Sequence, residues 1–239
     1  MNAKKVTLGL LFAAALLILA VMRLGAQSAA ERAVAGMASG LVLLWVIAGG
    51  GLMWRLRRQV RQRVLAMRLD WRVKFVLFAT LLACLEEVVT VSMTNLAPWF
   101  GAPIGEAYIT ASTNYFDVIL LHSVVVLIPY FIALAFLLAR YDLSPFTVFI
   151  AFGAVGTLSE ALFAGSGAML LAFPFWCFVY GLMVYLPAYS LPRRRGARPA
   201  RWLAQLLCAP ATFLLALPMI ALIAVFIEGV LGHPRIHFP

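Results

Sequence analysis

The stretch FVLFATLLACLEEVVTVSM, residues 75–93, decides how the chain folds, because it is long and apolar yet carries two adjacent glutamates. At 1.5 Å per residue, Glu86 lies about 18 Å beyond Lys74, the last charged residue before it. That position is near the middle of a hydrocarbon core about 30 Å thick. A carboxylate there costs about 2.5 kcal/mol or more on insertion scales, so Glu86 and Glu87 form the first functional candidate.

The composition indicates a protein built for lipid. Of 239 residues, 64% are apolar and 12% charged, whereas soluble domains carry about 25% charged residues. No polar stretch is long enough to fold separately, so residues 1–239 are predicted to form one all-α integral membrane domain. The net charge of +10 lies mostly between apolar runs, so we expect the lipid bilayer as partner and no nucleic acid.

Seven apolar runs of about 17–25 residues predict a bundle of transmembrane helices. The fifth and sixth runs are separated only by residues 164–167, and one long broken helix is the alternative there. The first run is similar to a signal peptide, but an uncleaved anchor is expected because Arg23 precedes the only small-residue site. The runs are 6–22, 34–54, 75–95, 116–139, 146–164, 168–190 and 203–229.

The distribution of basic residues predicts the orientation. A cytoplasmic N-terminus leaves only Arg23, Arg32 and Arg235 of the nineteen Lys and Arg residues outside, in accord with the positive-inside rule. Seven spans then place the C-terminus outside. We expect a multi-pass protein of the cell membrane, specifically of a bacterial inner membrane.

Residues 55–73 combine apolar positions at helical spacing with a stripe of arginines. One interpretation is a basic amphipathic helix that binds the anionic cytoplasmic leaflet through the basic residues from Arg55 to Lys74. The other is a charged extension of the second span that only fixes the topology.

Further polar residues fall in the fourth and fifth runs. Asp117, Glu160 and His122, the one histidine inside a run, share the outer half of the bilayer with the glutamate pair in this topology. These residues predict a pocket open to the outer face between the third, fourth and fifth spans. A stripe at helical spacing extends from the pair toward that surface, so the predicted substrate-binding residues are Thr90, Thr94, Asn95 and Asp117. His233 and His237 fall in the outer tail.

Two chemistries suit this pocket. Adjacent buried carboxyl groups cannot both be ionised cheaply, so one is expected to act as an acid and the other as a base. Alternatively, Glu87, His122 and Glu160 could hold a divalent metal such as zinc, iron or manganese. In a third interpretation, the polar groups only pair with each other and fix the helix register. The predicted catalytic residues are Glu86, Glu87, His122 and Glu160.

The double glutamate is weakly similar to the first motif of the CAAX-type and abortive-infection intramembrane endopeptidases. Those families follow Glu-Glu with x-x-x-Arg and supply further histidines on later helices. Here the pair continues Val-Val-Thr-Val, and only His122 follows inside a span. The resemblance implies proteolysis within the membrane but covers too few residues to assign a family.

The loop over residues 95–115 joins the helices that carry the glutamate pair and His122. It contains two prolines and several aromatic residues, which suit either a lid over the pocket or an ordinary interfacial loop. The favoured function is an intramembrane hydrolase acting on a lipid or membrane-tethered substrate. The alternatives are a proton- or cation-coupled transporter and a non-catalytic subunit of a membrane complex.

Overall fold

The computed structural model describes residues 3–192 and 195–233, and each of the seven predicted spans is a helix in it. All seven are long and apolar enough to cross a membrane, so the chain is a multi-pass membrane protein. A short helix, α7 (Trp202–Leu206), precedes the last span. The spans are α1 (Ala3–Gly25), α2 (Ala29–Ala66), α3 (Trp71–Asn95), α4 (Tyr115–Arg140), α5 (Pro145–Phe163), α6 (Gly167–Tyr189) and α8 (Cys208–Val230).

The helix connections gather on two opposite faces. We call the side with residues 96–114, 164–166 and 231–233 the loop face, and the side with residues 67–70, 141–144, 190–192 and 195–201 the basic face. On the basic face, β1 (Tyr141–Asp142) pairs in parallel with β2 (Arg198–Pro199). Arg195 donates to Asp142 at 2.5 Å and to the Leu138 carbonyl at 3.1 Å. Which face is cytoplasmic, and in which membrane, remains a prediction.

The basic segment continues the second span rather than forming a helix of its own. α2 runs without a break through a π-helical stretch, Val42–Gly49, and ends at Ala66. Asp70 then caps α3 by accepting a hydrogen bond from the Arg72 backbone N–H at 2.8 Å, which fixes a new helix start. The amphipathic helix predicted over residues 55–73 is therefore interrupted at residues 67–70, and its binding to an anionic leaflet remains a prediction.

The fifth and sixth runs are two helices. Gly165 adopts φ of 60° between them, a left-handed conformation that turns the chain and that glycine adopts without a steric penalty. The alternative of one long broken helix is therefore wrong.

The seventh run is also shorter than predicted, because Leu207 separates α7 from α8.

The closest helix packing lies between α5 and α6, where glycines replace side chains. A Cβ atom on Gly153 would lie 2.6 Å from the Cys177 Cα atom, and one on Gly156 would lie 2.1 Å from the Tyr180 ring. On α6, a Cβ atom on Gly181 would lie 2.7 Å from the Phe149 ring. Small residues allow this approach.

α4 and α5 meet through long side chains instead. The rings of Phe131 and Phe152 lie 5.3 Å apart between centroids, and the hydroxyls of Tyr130 and Ser159 lie 3.2 Å apart. α8 packs against both helices and covers the space between them. Most of α8 faces outward, as does most of α1. This arrangement leaves room for a cavity beneath α8.

Gly156→Ala tests the α5–α6 contact. The added methyl group would overlap the Tyr180 ring, and overpacking of this kind costs about 1–3 kcal/mol. We expect a lower midpoint of thermal unfolding for the purified protein in detergent. Gly51→Ala is the matched control, because a Cβ atom there meets nothing within 4 Å. Equal midpoints for Gly156→Ala and the wild type would contradict the packing argument.

Candidate functional site

A cavity of about 730 Å³ lies among α3, α4, α5, α6 and α8. Small-molecule sites typically measure about 300–1,000 Å³. All four predicted catalytic residues line it: Glu86, Glu87, His122 and Glu160. The four residues therefore line one cavity. Two further helices, α6 and α8, also line it, and the sequence did not assign them to the pocket.

Glu87 is held by hydroxyl groups. Its Oε2 atom accepts hydrogen bonds from Thr90 at 2.7 Å and from Thr110 at 2.9 Å. Thr90 lies one turn along α3, whereas Thr110 comes from the loop. These donors stabilise a carboxylate that is 5% exposed, and they fix its orientation in the wall.

Glu160 has a different partner. The hydroxyl of Tyr180 on α6 donates a short hydrogen bond to its Oε1 atom. The close approach at Gly156 brings the two side chains together, because the Tyr180 ring packs over that glycine. Sequence reasoning missed Tyr180. Gly156, one turn before Glu160, indicates where a helix approaches, but not which of its residues faces the carboxyl group.

Glu86 is the least satisfied of the three carboxyl groups. It is 4% exposed and lines the cavity. Within residues 3–192 and 195–233, no side chain or backbone N–H donates a hydrogen bond to its carboxyl group, in contrast with Glu87 and Glu160. Its adjacent position on α3 does not turn it away from the cavity, so both members of the pair face it.

The loop over residues 96–114 is folded onto the cavity. The Thr94 hydroxyl accepts a hydrogen bond from the Ile109 backbone N–H at 3.3 Å, and Asn95 donates to the Thr113 carbonyl at 2.9 Å. These contacts let residues 109–111 form part of the cavity wall. The geometry favours the lid interpretation. Thr94 and Asn95 position this loop and do not line the cavity, while Thr90 does.

A second polar group lies at the loop-face end of α4. His122 Nε2 is 3.5 Å from Asp117 Oδ2, and His233 Nε2 is 3.0 Å from Asp117 Oδ1. The two imidazole rings lie 4.8 Å apart in a T-shaped arrangement. One potential ligand atom from each of the three residues lies within 4.8 Å of the others. His122 also lines the cavity, so this group borders it.

The predicted metal set of Glu87, His122 and Glu160 is not brought together. Among the described residues, the Asp117, His122 and His233 group is the one whose atoms converge closely enough for a metal. The reason is that the predicted ligands have other partners. Glu87 is bound by threonine hydroxyls, Glu160 by Tyr180, and His122 lies beside Asp117.

A π-helical turn explains why the pairing of Asp117 with His122 was not predicted. Residues five apart on an α-helix point about 140° from each other. Val118–His122 is π-helical, and the Ser123 backbone N–H bonds to the Val118 carbonyl. Such i→i+5 bonding makes residues five apart neighbours on one face.

His233 reaches the group because α8 ends in another π-helical stretch, Val225–Val230. Gly232, with φ of 64°, then turns the chain, and the His233 backbone N–H donates to the Ile227 carbonyl at 3.1 Å. The sequence placed Asp117 in the outer half of the bilayer and His233 in the outer tail, and this shared side of the membrane was the signal available. His237 lies outside the described residues.

Thr110→Val tests the link between loop and cavity. The substitution removes one of two donors to Glu87, and losing a buried hydrogen bond to a charged group costs about 1–3 kcal/mol. We expect faster hydrogen–deuterium exchange over residues 107–113. Thr113→Val is the control, because Thr113 contributes its backbone carbonyl to Asn95. Unchanged exchange in Thr110→Val would show that this bond does not hold the loop.

Comparison with protein-family models, curated proteins and solved structures found no match for this chain. Its function is therefore inferred from the geometry of the cavity and of the polar groups around it.

Proposed function

We propose that the protein is a metal-dependent hydrolase that cleaves an ester or amide bond in a lipid or other membrane-tethered substrate. The observation that carries this proposal is the convergence of Asp117, His122 and His233 within 4.8 Å at the edge of a large cavity with carboxyl groups in its wall. Two histidines and a carboxylate are a frequent ligand set for catalytic zinc, in which a fourth position is left for water.

The distances in the group can be compared with those around such an ion. Tetrahedral coordination at about 2.0–2.1 Å from the metal separates ligand atoms by about 3.3 Å. His233 Nε2 lies 3.0 Å from Asp117 Oδ1 and His122 Nε2 lies 3.5 Å from Asp117 Oδ2, which are different oxygens of one carboxylate. With one ligand atom taken from each residue, the atoms lie within 4.8 Å of one another, so the three side chains would move closer together around an ion. The same ligand set suits Fe(II). Hydrolysis favours zinc, which activates water without redox chemistry.

The chemistry requires an activated water and a route for its proton. A zinc ion bound here would supply Lewis acidity and lower the pKa of a bound water. The cavity carboxyl groups of Glu87 and Glu160 are proposed as proton acceptors. The Tyr180 hydroxyl, bonded to Glu160, is proposed to return a proton to the leaving group. The acyl carbon gains the OH of water, and the departing oxygen or nitrogen gains the hydrogen.

The cavity rim supports a substrate that arrives from the lipid. Leu162 and Phe163 on α5 are 62% and 53% exposed, and Leu217 on α8 is 38% exposed, yet all three line the cavity. An apolar chain could therefore extend between these helices into the surrounding bilayer. A transport path is less well supported. The glutamates and threonine of α3 and α5 that line the cavity, Glu86, Glu87, Thr90 and Glu160, lie in the halves nearer the loop face, whereas the lining in the basic-face halves of α6 and α8 is apolar: Met183, Phe213 and Leu217.

Metal analysis of the purified protein tests the proposal. We expect about one zinc ion per chain after exposure to zinc and removal of the excess. Asp117→Asn, His122→Ala and His233→Ala should each lose stoichiometric zinc, and with it the hydrolysis of a panel of ester- and amide-linked lipids. Elemental analysis for zinc, iron and manganese identifies the ion.

Glu106→Gln serves as the matched control. Glu106 is an exposed carboxylate of the same loop face, and it does not line the cavity. This variant should keep both zinc and activity. Wild-type protein that binds none of the three metals at stoichiometric levels would overturn the proposal. Lost thermal stability in the three ligand variants, without metal in the wild type, would assign the group a packing role.

A further inference from the structure

We propose that the cavity binds the protonated amine of a long-chain amphiphile, with the Glu86 carboxylate as its counter-ion. As a statement about the substrate or product this rests on the proposed hydrolase, but binding itself requires no catalysis.

The charge of the cavity wall selects the sign of the ligand. Four glutamates line it, and among the described residues no Lys or Arg does: the carboxyl groups belong to Glu86, Glu87, Glu160 and Glu228. Like charges oppose an anionic head group in a low-dielectric site, whereas a cation is attracted. A carboxylate-headed lipid is therefore disfavoured, and an ammonium-headed one is favoured.

The hydrogen bonds single out Glu86 within this group. Glu87 receives hydroxyl donors from Thr90 and Thr110, and Glu160 receives one from Tyr180. Glu86 is as buried as Glu87 and lines the cavity, yet no described residue donates to it. A buried carboxylate without donors is costly. An ammonium group brings both a positive charge and three N–H donors, so it would supply the hydrogen bonds that no described residue donates to Glu86.

The remainder of the cavity fits an apolar chain. Its walls beyond the carboxyl groups include Val126 and Leu127 on α4, and Ile220 and Ile223 on α8. The exposed rim at Leu162 lets such a chain continue into the bilayer. The carboxyl groups at one end of the cavity select an ammonium head group, and the apolar walls of the remainder accommodate a hydrocarbon chain. This combination fits an amphiphilic amine better than a free metal cation or a small polar amine.

Binding of three matched ligands tests the inference. Dodecylamine, dodecanol and dodecanoate share a chain and differ in the head group. Each is titrated calorimetrically into the purified protein in a nonionic detergent, with empty micelles as the blank. We expect dodecylamine to bind roughly tenfold or more tightly than the other two ligands, since losing one partner of a buried charge pair usually costs at least that much.

Glu86→Gln should remove this preference, so that amine and alcohol bind alike, while Glu106→Gln should keep it. Glu86→Asp keeps the charge on a shorter side chain and should retain part of the preference. Equal binding of amine and alcohol to the wild type would overturn the inference, and this comparison stands even if Glu86→Gln does not fold. Unchanged amine affinity in a folded Glu86→Gln would overturn it as well.

A third experiment, with His233→Ala, distinguishes failure of the amine site from failure of the proposed hydrolase. This variant lacks a proposed metal ligand but keeps Glu86. Amine selectivity that persists in His233→Ala, together with a wild type that binds no metal, would retain the amine site and reject the hydrolase. Bound zinc and hydrolysis in the wild type without amine selectivity would retain the hydrolase and reject the amine site.

Discussion

Carboxyl groups buried among apolar helices must find donors, and this requirement organises the structure around α3. Water is absent from the hydrocarbon core, so each unsatisfied polar group there costs several kcal/mol. Glu87 is satisfied partly by Thr110, which brings the loop down onto the cavity. Glu160 is satisfied by Tyr180, which requires α6 to approach α5 closely enough that Gly156 has room for no side chain. The loop conformation therefore supplies a hydrogen-bond donor to Glu87, and the close α5–α6 contact supplies one to Glu160.

The same close contact produces the cavity. α5 and α6 pack closely over glycines, whereas α4 contacts α5 through the long side chains of Tyr130 and Phe131. The gap between α4 and α5 is therefore wider than the gap between α5 and α6. α8 covers the wider side. It also carries His233 at its end to Asp117. α8 therefore forms one wall of the cavity and also positions His233, one of the three potential metal ligands.

Patterns of composition and depth were sufficient to predict the helices and to place Glu86, Glu87, His122 and Glu160 together, whereas the predicted pocket residues Thr94, Asn95 and Asp117 do not line the cavity. Hydropathy alone predicted all seven spans, and the shared depth of Glu86, His122 and Glu160 predicted that they line one space. Both predictions depend on distance along a helix axis, which the sequence determines. The predicted metal set was not formed, because ligand convergence depends on rotation about the axis. A π-helical turn before Ser123 changes that rotation, and the sequence carries no clear signal for it. Tyr180 and His233 were missed for a related reason, since contacts between distant segments depend on tertiary packing.

The partners of each polar group separate structural roles from functional ones. Glu87 and Glu160 accept hydrogen bonds from hydroxyl groups of the protein, which stabilise them in part before any ligand arrives. Glu86 has no such donor among the described residues, and Asp117 lies between the imidazoles of His122 and His233. These two carboxylates are the proposed cation sites, for an ammonium group at Glu86 and for a divalent metal at Asp117. If packing alone had shaped the cluster, Glu86 would be the residue most easily replaced by an apolar side chain. An unpartnered carboxyl group in the cavity wall is a feature that packing leaves unexplained, and the proposed amine would give this group a partner.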